Sequence, residues 1–336
     1  MVLVFLDINA ADYIRDPLTI RRTLGIADGA HRVQVVDPQR TARRRCALRA
    51  GQRGRGQQSS EKREGGFVPF VHGREYNPSC PPGRGPLVEP LTIIRIVHAS
   101  VLIQFGACSV LTDPWFAERP GHHHGEPLGL RLADLPQLSA VVCSHNHFHH
   151  FDMQSFAQYR DRGVPMIVNR GMEKPARRAG FSNIFPLEPW RSVTLGPLRV
   201  SATPSRHGVP DNTYVLHCGG RRVFFAADSL GVAEARNLTE RYSHPDVALL
   251  PIQGLRLPFW FNHQLVMNPQ QAAAIAGLLQ PRFAVPTHYR LSYSGFRDRF
   301  LFQTRGSLQA FAAAMAAAAP QTQVRVLAPG EPLVID

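Results

Sequence analysis

From Leu91 onward, apolar side chains come in short runs divided by turn residues, beginning with LTIIRIV, SVLIQF and SVLTDP. Runs of this length, rich in Val, Ile and Leu and too short for helices, predict β-strands. Only His98-Ala99 joins the first two, so a meander is expected to open the domain. The texture continues through SAVVCS and PMIVN. Two hairpin pairs follow, SVTLG with LRVSATP about Gly196-Pro197 and NTYVLHC with RRVFFAAD about Gly219-Gly220, and then DVALLPI and RFAVPT. Helices interrupt them. Asn268 is placed to cap QQAAAIAGLLQ, with Pro269 at the first helical position. A second helix from Ser307 puts Leu308, Phe311 and Met315 on one face. Strands grouped in hairpins, with helices after several of them, predict an α/β (α+β) architecture of two sheets covered by helices.

The chain before Leu87 lacks this periodicity. RTARRRCALRAGQRGRGQQSSEKREGG reads as a disordered arm, and NPSCPPGRGP as a linker, so residues 1–85 are expected to be a basic extension and 86–336 the folded domain. Charge follows the same division. Of the formal net +13, more than half lies between Arg40 and Glu64, where nine basic side chains face only Glu61 and Glu64. No aromatic residues are interleaved there to stack on bases, so no specific nucleic-acid partner is expected. The basic residues are arginine except for Lys62 and Lys174, a bias that fits a GC-rich coding sequence better than a selected binding face.

With 336 residues and 44% apolar positions the chain can bury a sizeable core. The run Phe311–Ala319 falls far short of the ~20 residues that cross a bilayer, so no transmembrane segment is expected. MVLVFLDIN lacks a basic leader, which makes the cytoplasm the default location. Cys46, Cys80, Cys108, Cys143 and Cys218 are scattered without a CxxC pair, so reduced thiols are expected rather than a disulfide framework or a thiolate zinc site.

The chemistry concentrates in SHNHFHHFD, directly after the SAVVCS strand. If the segment is extended, His145 and His147 point the same way, while His149 and His150 diverge and serve a second direction. Neutral imidazole is the commonest nitrogen ligand of zinc, and three protein ligands plus water make a catalytic site. His207, Asp228 and His288 each follow a predicted strand and complete a metal site. Asp113 is expected to make a turn, with a secondary role beside the metals. His98 is read as a polar strand end, His122 to His124 as a flexible surface loop, and Cys108 and Cys143 as small buried hydrophobes. LRLPFWFNH (Leu255 to His263) is read first as core and second as an apolar cleft mouth.

This order of motifs resembles the metallo-β-lactamase superfamily, with HxHxDH followed by a distant His, an Asp and a final His. The supporting strings are HASVLIQFGACSVLTDPWF, ADLPQLSAVVCSHNHFHHFD, TPSRHG, VMNPQQA and PTHY. Within it they look most like the branch holding N-acyl-phosphatidylethanolamine-hydrolysing phospholipase D and ascorbate-6-phosphate lactonase. The resemblance implies a four-layer αββα sandwich with a two-metal site. His145, His147 and His207 would bind one ion, His150 and His288 the other, and Asp228 would bridge them. Zinc, as one or two ions, is the expected cofactor, with manganese or iron as alternatives. Asp228, His288 and His149 are expected to serve catalysis directly.

The sequence departs from the pattern twice. His149 stands where Asp is usual, which removes a negative ligand and weakens the second ion. Val266 stands where many members of the branch have histidine. The expected function is hydrolysis by a metal-bound hydroxide of a phosphodiester, ester or lactone, phosphodiester favoured, on a small-molecule or lipid-like substrate. The alternatives are a di-iron redox enzyme on the same fold and a degenerate, non-catalytic metal-binding module.

Overall fold

Period-two alternation sends strand side chains to opposite faces, and in the central strands of this fold both faces are buried. The computed structural model describes residues 88–258, 262–293 and 301–336. The expected arm, Cys46, Cys80 and the Phe259–Phe261 portion of LRLPFWFNH lie outside these residues. In the first half, β1 (Leu91–Val97), β2 (Ser100–Phe105) and β3 (Cys108–Thr112) form the expected antiparallel meander. Then β4 (Ala140–Val142), β5 (Met166–Asn169) and β6 (Ile184–Leu187) add parallel to it. Two short helices, α1 (Met153–Phe156) and α2 (Glu173–Arg178), make the crossovers.

The second half repeats the plan. β7 (Ser192–Leu195), β8 (Leu198–Pro204), β9 (Asn212–Cys218) and β10 (Arg221–Phe225) are antiparallel. β11 (Val247–Pro251), β14 (Phe283–Thr287) and β15 (Gln323–Val324) follow in parallel. Among the described residues of this half lie three helices, α3 (Val232–Thr239), α4 (Pro269–Leu279) and α5 (Leu308–Ala318), together with a small hairpin, β12 (Arg256–Leu257) with β13 (His263–Gln264). The last strand, β16 (Pro332–Ile335), crosses back to pair with β1. Among the described residues the two large sheets each have seven strands.

Between the sheets, Ile93, Val101, Ile103, Val110, Val142 and Ile167 meet Val200, Leu216, Val223, Leu249 and Val285. The intervening residues face outward. Ile96, Leu102, Val141 and Val168 pack with Phe156 and Ala176 of α1 and α2, while Phe224, Ala248, Leu250 and Ala284 pack with Ala235, Ile275, Ala276, Phe311 and Met315 of α3, α4 and α5. The result is the expected helix–sheet–sheet–helix sandwich, each layer buried by its neighbour. The Asn268 cap forms a full capping box with Gln271, and Ser307 caps α5 by accepting from the Ala310 amide. No helix among the described residues is long and apolar enough to cross a membrane.

Candidate metal centre

Parallel strands end at one edge, and their carboxyl ends bring loops together there. His98 directly follows β1, Asp113 follows β3, SHNHFHHFD follows β4, Asp228 follows β10, and His288 follows β14. Four of these junctions have left-handed backbone, with φ of 52° at His98, 33° at Asp113, 48° at Ala227 and 51° at His288. Each non-glycine in that region costs about 1–3 kcal/mol, and such strain clusters where side chains must be aimed. The histidine segment is not extended, contrary to expectation. The amides of His150 and Phe151 both donate to the His147 carbonyl (3.0 and 2.8 Å), so a turn, not strand alternation, gathers the rings. Asp152 locks the turn from behind, accepting from the amides of Phe116, Ala117 and Ser155 (3.2, 3.0 and 3.1 Å).

Two groups of donor atoms result, each with its members within 4.8 Å of one another. One holds His145, His147, His207 and Asp228, and the other His98, His149, His150 and His288. All are buried except His207, which is partly exposed. Asp228 faces both sets. Its Oδ1 lies 3.0 Å from His288 Nε2, and its Oδ2 lies 3.2 Å from His150 Nε2 and 3.9 Å from His145 Nε2. His207 Nδ1 donates to the Leu265 carbonyl (3.1 Å), which leaves its Nε2 with the lone pair. Both nitrogens of His98, Nδ1 of His149 and Nδ1 of His288 are buried without a hydrogen-bond partner. An unsatisfied buried polar atom costs about 1–3 kcal/mol, so such a concentration fits a centre that is completed by cations.

Carboxylates behind the cluster orient the rings. Asp113 accepts from the Ser144 amide and hydroxyl (both 2.7 Å) and from His150 Nδ1 (2.6 Å), which turns His150 Nε2 toward Asp228. The secondary role expected of Asp113 is therefore where its geometry lies. Asp211, which the sequence reading missed, has Oδ1 3.3 Å from His145 Nδ1 without a hydrogen bond to it, the hydrogen-bond partner of that nitrogen being the Ser144 hydroxyl at 2.9 Å. Outer partners of this kind fix tautomer and orientation, and losing one typically costs ~10–100-fold in metal affinity. Asp113→Asn is expected to weaken metal binding by about that factor, measured by competition with a chromophoric chelator. Affinity equal to that of the unmodified protein would mean that Asp113 does not hold His150.

Burial, then neighbouring imidazoles, hold His98, His145, His147 and His149 well below the usual histidine value, so they are neutral donors. Burial also opposes charge on His150, but Asp228 and Asp113 outweigh it and push that ring up to about 10. Burial alone would raise Asp228, yet His150 and His288 hold it well below the carboxylate range. Burial pushes Asp113 up, and Asp211 up to about 6.

These directions fix the acid behaviour of the metal-free protein. Below about pH 6.5 the unfolded chain protonates the four depressed histidines while the folded chain resists, so stability falls with pH. His150 contributes fully below about pH 6.5 and loses its contribution only as pH rises toward about 10, so it leaves the sign in acid unchanged. Asp113 and Asp211 act in the opposite sense but are outnumbered. The Tm of chelator-treated protein is therefore expected to drop from about pH 7 to about pH 5, and a rise over that interval would contradict the burial of these rings.

Two expectations need correction. The His122–His124 segment is not a free surface loop. His122 and His124 are buried, the His124 ring sits 4.4 Å from Trp115, and the His122 ring stacks 5.9 Å from His149. His98 is more than a polar strand end, since its ring centroid lies 3.6 Å from that of His288. Cys108 and Cys143 are buried free thiols as expected, and Val266 is buried in the outer core. Leu255 and Leu257 join that same core, in keeping with the first reading of their segment.

A two-sheet sandwich with a histidine and aspartate cluster at the carboxyl ends of its strands is the architecture of metallo-β-lactamase-type proteins. Residues 109–289, more than half of the chain, match the beta-lactamase superfamily domain, and the chain belongs to that family. A metal-dependent hydrolase of Deinococcus radiodurans is 28% identical over 250 residues, spanning 72% of this chain and 98% of that protein. N-acyl-phosphatidylethanolamine-hydrolyzing phospholipase D 1 of Caenorhabditis elegans is 25% identical over 233 residues, spanning 61% of this chain and 65% of that protein. The solved structure of Igni18, a metallo hydrolase of Ignicoccus hospitalis, matches with a TM-score of 0.58 at 22% identity, over 74% of this chain and all but 1% of that one, with 99% covered. Family, fold and donor set together are those of a metal-dependent hydrolase.

Proposed function

We propose that this protein hydrolyses a phosphodiester, with esters and lactones as the neighbouring chemistries, at a centre holding two zinc ions. The carrying observation is Asp228, a buried carboxylate within 3.0 and 3.2 Å of His288 and His150 and 3.9 Å from His145, which faces both donor sets at once. His145, His147, His207 and Asp228 would hold one ion; His149, His150 and His288 would hold the other, with Asp228 shared. When bound, such ions lower the pKa of water toward neutrality and polarise a phosphoryl or carbonyl oxygen. The chain's residues contribute placement. Asp113 holds the Nδ1 proton of His150, Leu265 holds that of His207, and burial keeps the His145, His147 and His149 rings neutral and ready to donate lone pairs. Asp228, His288 and His149 stand nearest the reacting atoms in this reading.

Two features support a phosphodiester. The Caenorhabditis relative is named for hydrolysis of a phospholipid. In addition, the Arg119 guanidinium lies 3.9 Å from the ring centroid of Phe148, the residue between His147 and His149 in the chain, and we assign that cation to the charge of the phosphate. All proposed ligands follow Val97, so the catalytic unit proposed is 86–336, with 1–85 as an extension. The test is turnover of bis(p-nitrophenyl) phosphate, p-nitrophenyl acetate and a lactone panel by protein reconstituted with zinc, manganese or iron. Zinc-dependent cleavage of the diester is expected. Turnover confined to esters or lactones would overturn the phosphodiester assignment. No hydrolysis with any metal, together with visible absorption bands of the iron form, would favour the redox alternative.

A further inference from the structure

We propose that His98, His149, His150 and His288 form a four-imidazole ion pocket beside the shared Asp228, which selects nitrogen-preferring divalent ions such as zinc, nickel and copper over manganese and magnesium. The inference rests on the metal-centre reading above and goes beyond it by assigning His98 as a ligand and by naming the class of ion. One donor atom from each of the four rings lies within 4.8 Å of the others, and all four residues are buried. Of the carboxylates that touch these rings among the described residues, Asp113 is engaged with the Nδ1 of His150. Asp228 is shared with the other set.

His98 is the residue that changes the composition of the pocket. Both of its nitrogens are buried without a hydrogen-bond partner among the described residues. Its orientation is nevertheless fixed. The His288 amide donates to the His98 carbonyl (3.2 Å), which ties the end of β1 to the end of β14 across the sandwich. The Trp115 ring stands edge-on at 5.3 Å from His98 and 5.9 Å from His149, walling the pocket from behind. A histidine aimed by left-handed backbone, backed by an indole and left unpaired at both nitrogens is built to donate to something that is not protein.

Donor chemistry then decides the ion. Imidazole suits zinc, copper and nickel, whereas magnesium and manganese prefer carboxylate, carbonyl and water oxygens. The four imidazoles bring no charge of their own when they ligate, and the shared Asp228 offsets only part of the ion's charge, so affinity at this pocket rests chiefly on nitrogen donation, which the oxygen-preferring ions exploit least. The other set has three imidazoles to the same shared Asp228 and should discriminate less. The weakening expected from His149 in place of Asp therefore applies to the oxygen-preferring ions, and His98 makes up the donor number for the rest.

The experiment uses the full chain, stripped with chelator and checked for fold by circular dichroism. Equilibrium dialysis with metal analysis is run separately with zinc and with manganese, and the copper form is examined by electron paramagnetic resonance. Zinc is expected to fill both positions, manganese to leave the second one empty, and copper to show hyperfine coupling to several imidazole nitrogens. His98→Asn keeps a residue that tolerates positive φ. It should lower the second zinc affinity by at least about tenfold, since even outer partners are worth ~10–100-fold, while leaving the first zinc in place. His149→Asp should admit manganese to the second position. Equal filling of both positions by manganese and zinc, or an unchanged second zinc affinity in folded His98→Asn, would overturn this proposal alone. Failure of every ion to bind would overturn the metal-centre reading as well.

Discussion

Asp228→Ala is expected to abolish hydrolysis and to strip metal from both positions. The carboxylate lies 3.0 Å from His288, 3.2 Å from His150 and 3.9 Å from His145, so both donor sets lose their shared negative charge in one step. It is held ionised against burial by His150 and His288, and its removal leaves buried rings facing one another with no anion between them. The rate should fall by more than about a thousandfold, since losing a single oxyanion donor already costs ~10²–10³ in kcat. His147→Ala should be narrower, removing the first ion and activity with it while leaving the His98, His149, His150 and His288 set intact. Metal analysis beside turnover separates the two outcomes. An Asp228→Ala protein that keeps both ions would show that the carboxylate is not shared.

Trp115→Ala should produce the largest loss of stability. Trp115 is fully buried in the outer core, and its Nε1 donates to the Ala117 carbonyl (2.7 Å). Its ring contacts His98, His124 and His149 edge-on. Truncating a buried Trp leaves a cavity and costs about 3–5 kcal/mol. For a domain of this size that corresponds to a Tm lower by about 6–20 °C. Because the same ring walls the pocket holding His98 and His149, the variant should also bind its second ion more weakly. Trp115→Phe should retain most of both properties. A denaturant titration giving a loss below about 1 kcal/mol would contradict the burial and packing assigned to Trp115.

The sequence revealed the strands whose two faces are both buried. In SVLIQF, Val101, Ile103 and Phe105 enter the central core and Leu102 an outer one; in LTIIRIV, Leu91 and Ile93 enter the central core, while Ile96 and Val97, at a register shift between Arg95 and Val97, lie in the outer one, so both runs are largely apolar and easy to read. Ile184–Leu187 escaped because it is short and carries Pro186, and it is held by parallel pairing with β5 rather than by its own pattern. The return of Pro332–Ile335 to pair with β1 is a tertiary choice with no local signal.

At the centre, the density of histidines in SHNHFHHFD was legible, but the sorting of rings was not. That sorting depends on a turn at His147 and on left-handed backbone at His98 and His288. Asp211 went unnoticed because it is one polar residue in a loop. The available signal was its place four residues after His207, at the entry to β9. His122 and His124 looked like loop residues among Gly and Pro, and their burial comes from the rings against which they pack, Trp115 for His124 and Phe148, His149 and Tyr293 for His122.

The central claim is that two adjacent ion positions share Asp228, and crystals of the zinc-reconstituted protein test it most directly. Anomalous difference maps at the zinc edge should show one peak among His145, His147 and His207 and another among His98, His149, His150 and His288, both beside Asp228. A map with no peak at these residues, or with zinc bound only elsewhere on the chain, would contradict the account.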